Sequence, residues 1–296
     1  MRRILRGLVM VLTLVGIMTV LCGCGQNDVT TGGNAAVSGD MSGDTQAKVL
    51  RVGMECAYAP YNWAQSDDSN GAVPIKGSTD FAYGYDVMMA KFLAEKMGYE
   101  LEIHKIDWDS LPIALMSDKI DCVIAGQSIT AERLQTVDFT TPYYYASIVG
   151  LVNKDGEYAN AQGIEDLTGA TCTSQINTVW YDVCLPQIEN ANILPAMELT
   201  SAMLVALDSG KAELVVTDMP TAMAATQVYP NMTILDFTNT SGDNFEVSDE
   251  EINIGISVKK GNADLLAELN TALAELDVTD FEEMMNTAIS VQPLAQ

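Results

Sequence analysis

Ala114-Leu-Met-Ser-Asp-Lys-Ile-Asp-Cys-Val-Ile-Ala-Gly126 is echoed, 92 positions later, by Ala206-Leu-Asp-Ser-Gly-Lys-Ala-Glu-Leu-Val-Val-Thr-Asp218. The two stretches align without a gap. Five of the thirteen positions are identical, and Asp121/Glu213 and Ile124/Val216 are near matches. Each stretch predicts a helix end, a tight turn, and a short apolar strand that stops at polar residues. A unit built twice in one chain implies two similar α/β lobes. Ligands in open α/β sheets lie beyond the carboxyl ends of the strands. That directs attention to Gly126–Arg133 after the first strand and to Asp218 at the end of the second.

Working outward, Val49–Gly53 alternates like an opening strand. Asp86 is placed to cap a helix whose apolar positions Val87, Ala90, Phe92, Leu93 and Met97 stop at Gly98. Leu101–Ile103 reads as a strand and Leu111–Met116 as a helix that leads into the first echo strand, Ile120–Ala125. Beyond Pro142-Tyr143-Tyr144-Tyr145, the strand Ile148–Asn153 carries the chain away. A strand at Gly169–Ser174, a helical Val179–Cys184 and a helix at Ser201–Leu207 precede the second echo strand. Thr238–Glu251 is polar and predicts a loop. Ile252–Val258 alternates as one strand, followed by helices over Ala263–Leu276 and from Thr279-Asp280 onward. This alternation of strands and helices predicts an α/β architecture with a parallel sheet.

The first residues read differently. Arg2, Arg3 and Arg6 precede an apolar run, Leu8–Leu21, too short for a typical membrane span and flanked like a secretory signal. It ends in Leu21-Cys22-Gly23-Cys24, which resembles the bacterial lipobox and implies cleavage before Cys24 and diacylation of its sulfur. Residues 24–48 are rich in Gly, Ser, Thr, Asn and Asp and predict a flexible tether. With 15 basic and 40 acidic residues the net charge is −25, or −28 without the three leading arginines. Such a surface argues against nucleic acid and against lying on anionic lipid. Cys56, Cys122, Cys172 and Cys184 show no metal-ligand spacing. Whether Cys172 and Cys184 pair stays open. His104 is the single histidine, so His-dependent catalysis or a His-rich metal site has little to build on; neither a metal nor a cofactor is expected.

Ser128-Ile-Thr-Ala-Glu-Arg133 predicts a helix start with Thr130 as its cap. Arg133 then faces the positive end of the helix dipole, an unfavourable place unless an anion is held there. It is either a carboxylate-binding guanidinium or a surface arginine paired with Asp138 or another acid. Asp218 is either a binding group at a strand end or the cap of the next helix. If the two lobes face each other, Arg133 and Asp218 suit one small zwitterion. Tyr58, Tyr61, Trp63 and Trp108 follow strand ends, as ligand-flanking rings or as core lids.

Five segments together resemble the polar amino acid-binding proteins of ABC importers, the bacterial solute-binding proteins of family 3. They are Arg51–Tyr61, Gly84–Val87, Ile124–Arg133, Val137–Tyr143 and Glu213–Asp218. The resemblance implies a type II periplasmic-binding-protein fold, two α/β lobes joined by two hinge strands. Lobe 1 would take residues 49–145 and 252–296, and lobe 2 residues 146–251. It also implies roles: Arg133 takes the ligand carboxylate with Ser128 and the backbone at Gly126, and Asp218 takes the α-ammonium. Tyr58 and Trp108 match positions flanking the ligand side chain, and Glu55 matches an acidic position at its polar or basic end. Gln175-Ile-Asn-Thr178 falls on a Gly-Thr loop of that family, where Thr178 fits and Asn177 stands at the usual glycine. Gln65–Thr79 exceeds the family's commoner length.

The implied function is a monomeric, lipid-anchored, extracytoplasmic receptor. It would close on an L-amino acid with a basic or polar side chain and deliver it to an ABC permease. No catalytic residue is expected. The alternatives are a dehydratase-type enzyme on the same fold, for which Glu55 is the one candidate acid/base, and a ligand-sensing module.

Overall fold

In the computed structural model, which describes residues 48–240 and 242–293, the apolar strands gather into two five-stranded sheets. The expected signal segment, Cys24 and the tether ahead of Lys48 lie outside the described residues. The first sheet begins with β1 (Lys48–Met54), β2 (Tyr99–Lys105), β3 (Cys122–Val123) and β4 (Val137–Phe139). The chain then builds the second from β5 (Ile148–Asn153), β6 (Thr171–Thr173), β7 (Asn192–Ile193), β8 (Leu214–Asp218) and β9 (Met232–Leu235). It returns to complete the first with β10 (Ser257–Lys259). The strand orders are β2-β1-β3-β10-β4 and β7-β6-β8-β5-β9. The main helices are α1 (Tyr85–Met97), α2 (Leu111–Met116), α3 (Thr200–Asp208), α4 (Met219–Val228), α5 (Ala263–Leu273) and α6 (Val278–Val291).

The echo in sequence is an echo in register. β3 lies parallel to β1 with Cys122 opposite Val52, and β8 lies parallel to β6 with Leu214 opposite Cys172. On the other side, Val258 of β10 opposes Cys122 and Val152 of β5 opposes Leu214, both antiparallel. Cys122 and Leu214 are the 92-residue partners of the alignment. The paired acids have one job in both lobes. Asp121 Oδ2 accepts the Arg51 amide at 2.8 Å and Glu213 Oε2 accepts the Thr171 amide at 2.9 Å, so each pins the start of its strand to its neighbour. The preceding helices end alike too. Ser117 and Ser209 hydroxyls donate to the Ala114 and Ala206 carbonyls, both at 3.2 Å, and Asp118 and Gly210 turn the chain with φ of 58° and 71°.

Several expectations are corrected. The sheets are mixed, because β5 and β10 enter from the crossing segments and run against their neighbours. The first echo strand is only Cys122–Val123. Ile252–Val258 is not one strand: Asn253–Ile254 pairs with Tyr144–Tyr145 as the crossing ribbon, and Ser257–Lys259 joins the first sheet. Gly255 sits at the break, where a Cβ would lie 2.8 Å from Ile129. Asp86 does not cap α1. Gly84 does, with φ of 125° and no room for a Cβ beside the Tyr61 carbonyl, and Asp86 lies in the first turn, fully buried. The long Gln65–Thr79 segment folds back as an antiparallel sheet, Asn62–Gln65 and Val73–Pro74 both pairing with Phe81–Tyr83. Ile75 then reaches Ile103 beside β2.

The first sheet is covered by α1, α5 and α6, whose Leu93, Leu269, Phe281, Met285 and Ile289 share one core with Leu50, Val52 and Ile103. The second sheet buries a face on each side: Leu214, Val216 and Cys172 pack with Leu167, Leu185 and Phe237, while Val149, Leu151 and Val215 pack with Met203, Leu207 and Ala222. Cys56, Cys122, Cys172 and Cys184 are all buried free thiols, which answers the open question about Cys172 and Cys184. Among the described residues, no helix is long and apolar enough to cross a membrane.

Candidate functional site

The strand ends flagged by the echo point at one another across the gap between the sheets. A narrow, partly open cavity there is lined by Glu55 and Tyr58 after β1, Trp108 after β2, and Gly126, Ser128 and Arg133 after β3. The other lobe contributes Gln175, Thr178, Val179 and Trp180, which follow β6. Eight of the nine residues expected at the site therefore meet in one space. The ninth, Asp218, lines an adjoining small cavity that shares Gly126, Ser128 and Trp180 with the first. Tyr58 joins the two, because its hydroxyl donates to Asp218 Oδ2 at 2.5 Å.

Arg133 is reached by a single tight turn, Arg133–Gln135, and not by the helix its sequence predicts. Thr130 still caps that turn, accepting the Arg133 amide at 3.2 Å. With so short a turn the helix-dipole argument lapses, yet the guanidinium is still without a counter-ion. Among the described residues no carboxylate lies within 4 Å of it, and Asp138, the suspected partner, pairs with Lys260 at 2.7 Å. Arg133 instead donates to the Ser128 carbonyl and, across the cleft, to the Asn177 carbonyl, both at 2.9 Å. Its guanidinium lies 5.4 Å from the Trp108 ring. Burial lowers its pKa to about 10, opposed by Glu132 and Asp182.

Asp218 does two things. Its Oδ1 accepts the Thr221 amide at 2.9 Å, capping α4, and its Oδ2 accepts the Thr221 and Tyr58 hydroxyls. At 2% exposure its burial raises its pKa, and no cation of the described residues lies within salt-bridge distance. Capping and a buried, uncompensated charge therefore coexist. Glu55 is the third such group. It is 3% exposed, and among the described residues one oxygen has no partner and the other receives only the Gln175 amide at 3.4 Å. Burial pushes its pKa up to about 7, Gln175 pulling the other way.

Gln175 is fixed by Thr200, whose hydroxyl donates to its Oε1 at 3.1 Å, and by its own bond to the Glu198 carbonyl. Thr178 is buried and caps the turn that carries Trp180, accepting the Tyr181 amide at 3.3 Å. Asn177 keeps a left-handed backbone, φ 56°, as the family's usual glycine would. Its side chain bonds Asp109 of the opposite lobe at 2.7 Å. Tyr61 and Trp63 are core rather than contact residues: Tyr61 stacks under Tyr58 at 4.6 Å and Trp63 packs on Tyr83. Trp180 was not foreseen, although it borders both cavities and meets Tyr58 edge-on at 6.2 Å. Its one signal is its place two residues after Thr178.

The family model for bacterial extracellular solute-binding proteins, family 3, matches residues 50–287. The chain belongs to this family. Its lobes form the type II periplasmic-binding-protein fold. This solute-binding protein is 32% identical to the arginine-binding extracellular protein ArtP of Bacillus subtilis over 145 residues, 49% of this chain and about half, 51%, of ArtP. It is 26% identical to the L-cystine-binding protein TcyJ of Escherichia coli (strain K12) over 77% of each chain. An ancestral arginine-binding protein solved with arginine matches at TM-score 0.65 and 29% identity, covering 81% of this chain and 97% of that one; it has also been solved with glutamine.

Proposed function

We propose that this solute-binding protein is the extracytoplasmic receptor of an ABC importer, anchored to the membrane through a lipid on Cys24. It closes two lobes on an L-amino acid with a basic or polar side chain and hands it to the permease. One observation carries the choice of ligand: the cleft holds one half-buried cation, Arg133, and two buried carboxylates, Asp218 and Glu55, and none has a counter-ion among the described residues. Isolated buried charges are costly, and a ligand of complementary charge repays the cost. A basic amino acid supplies one carboxylate and two cations. The α-carboxylate goes to Arg133 with Ser128 and the Gly126 backbone, the α-ammonium to Asp218, and the side-chain end to Glu55 and Gln175. Tyr58 and Trp108 flank the side chain, and Thr178 holds the second-lobe loop against the ligand. The names of ArtP, arginine-binding, and of the ancestral protein, solved with arginine and with glutamine, support the same class.

A thermal-shift screen of the purified protein against the twenty amino acids tests this, since a ligand that binds the native state raises the midpoint, the more so the further its concentration exceeds its Kd. Affinity of about micromolar or tighter is expected for at least one basic or polar member. Arg133→Ala should abolish binding in calorimetry with the unfolding transition retained; wild-type affinity in that variant refutes the assignment. The Glu55 carboxyl, titrating near neutrality, is also what a dehydratase would need. Recovering the bound amino acid unchanged supports a receptor, and recovering a dehydrated product supports the enzyme.

A further inference from the structure

Behind the cavity, and lining neither part of it, lies a fully buried carboxylate. We propose that Asp86 is the positioning residue of the binding cleft, holding both first-lobe ligand loops through two hydrogen-bond relays that converge on its two oxygens. The proposal rests on the amino acid occupying the cleft as described above. One relay runs from the Cys56 amide to Asn62 Oδ1 at 2.6 Å, and from Asn62 Nδ2 to Asp86 Oδ2 at 2.7 Å. Cys56 adjoins Glu55 and turns the chain with φ 54°, so this relay sets where Glu55 stands. The other runs from the Gly126 amide to the Tyr143 hydroxyl at 3.0 Å, and from that hydroxyl to Asp86 Oδ1 at 2.6 Å. Gly126 opens the loop that carries Ser128 and Arg133. Tyr143 is also the residue before the crossing strand, and the Tyr85 hydroxyl donates to its carbonyl. Asp86 itself is fixed by its amide, which donates to the Tyr61 carbonyl at 2.8 Å at the start of α1.

The polarity of each relay is forced. A backbone amide can only donate, so Asn62 must present its oxygen to Cys56 and its NH₂ to Asp86. Tyr143 has one proton, and since it accepts from Gly126 it gives that proton to Asp86. Both relays therefore end in a group that accepts on two sides. A carboxylate does this and a carboxamide does not. With asparagine at position 86, one arm meets an NH₂. Either Asn62 must turn, setting its own NH₂ against the Cys56 amide, or Tyr143 must turn its proton toward the Gly126 amide. In each case a buried donor loses its acceptor.

The chain of donors can be reversed on one arm. In the double variant Asn62→Asp with Asp86→Asn, the new aspartate at 62 accepts from both the Cys56 amide and the asparagine NH₂ at 86. The asparagine oxygen is then left for Tyr143, and every bond is restored with the opposite polarity between the two side chains. We expect Asp86→Asn to weaken L-arginine binding about tenfold or more and to speed amide exchange at Cys56 or Gly126 by a similar factor. The double variant should bring both readouts back toward wild type. Asn62→Asp alone sets two carboxylates side by side and should be at least as damaging as Asp86→Asn. A merely structural Asp86 gives additive losses in the double variant, and a double variant no better than its worse parent overturns the proposal. Wild-type exchange and affinity in Asp86→Asn overturn it as well. If Asp86→Asn fails to fold, recovery of folding and exchange protection in the double variant supports the relay, and failure of both overturns it. If the wild type binds no L-arginine, the affinity readout passes to whichever amino acid the screen identifies; if the screen identifies none, the reading of the ligand is at fault, and the exchange rates at Cys56 and Gly126 still decide the relay.

Discussion

Replacing Glu55 with glutamine turns the electrostatics of the cleft into a stability measurement. Burial moves the Glu55 carboxyl from its ordinary 4.5 to about 7, with Asp107 and Asp109 adding to the rise and Lys105 and Gln175 opposing it. Each pH unit between folded and unfolded values is worth about 1.4 kcal/mol, so ionised Glu55 costs the fold about 3 kcal/mol. The folded state holds the proton more tightly than the unfolded state. Its stabilising contribution is therefore full below about pH 4.5 and is lost as the pH rises through about 7. Glutamine does not titrate. Its amide leaves one polar atom unpaired where Glu55 Oε1 has no partner, a penalty of about 1 kcal/mol that is the same at every pH. The informative quantity is therefore the change in the mutant-minus-wild-type difference between pH 4 and pH 8. It should grow by about 3 kcal/mol, roughly 6–12 °C in midpoint for a chain of this size. Thermal unfolding across that range reads it directly. Adding L-arginine should shrink the gap at pH 8, because a guanidinium beside Glu55 stabilises the ionised form. Parallel curves for the two proteins over the whole range would refute the burial argument and remove Glu55 from the list of charges that select the ligand.

Two further substitutions probe the same cleft. Asp218→Asn keeps an oxygen for the Thr221 amide and can still meet the Tyr58 hydroxyl. Stability should change by no more than about 1 kcal/mol, while calorimetry should show at least a ~100-fold loss of amino acid affinity, as expected when a buried ion pair loses one partner. Gly126→Ala puts a Cβ 2.6 Å from Tyr58 Cε1 at a backbone φ of 61°. It should lower stability by about 1–3 kcal/mol, and near-ultraviolet dichroism should report the displaced tyrosine; an unchanged spectrum and midpoint would refute the packing described at this loop.

Where sequence signals were local and chemical, they carried through to the structure. Asp121 and Glu213, and Ser117 and Ser209, align because each lobe ends a helix, turns and pins a strand by the same local bonds, and such bonds leave marks at fixed spacing. The cleft residues followed, because strand ends locate them. What stayed hidden depended on distant partners. An acid at the start of a helix looks like a cap, and nothing near Asp86 in the chain reveals that Asn62 and Tyr143 converge on it from 24 and 57 residues away. The alternation of Ile252–Val258 runs straight through Gly255, because a residue without a side chain cannot register a change of sheet. Trp180 gives no sign of facing the cleft until the π-helical turn at Trp180–Cys184 sets its direction.

The placement of β10 also bears on how the chain comes into being. β3 and β4 do not touch each other; both wait for Ser257–Lys259 to fill the space between them. Most of the second sheet's partners lie in one continuous stretch, so in a polypeptide made from its N-terminus that sheet can close while the first still has two open edges. A nascent chain stopped short of residue 257 keeps Arg133 on an unfinished scaffold, and α5 and α6, which seal the first core, come later still. The segment from Ser257 onward thus completes a sheet whose other strands lie more than a hundred residues earlier in the chain. Until that segment is made, the loop that carries Arg133 runs between two strands with no partner joining them.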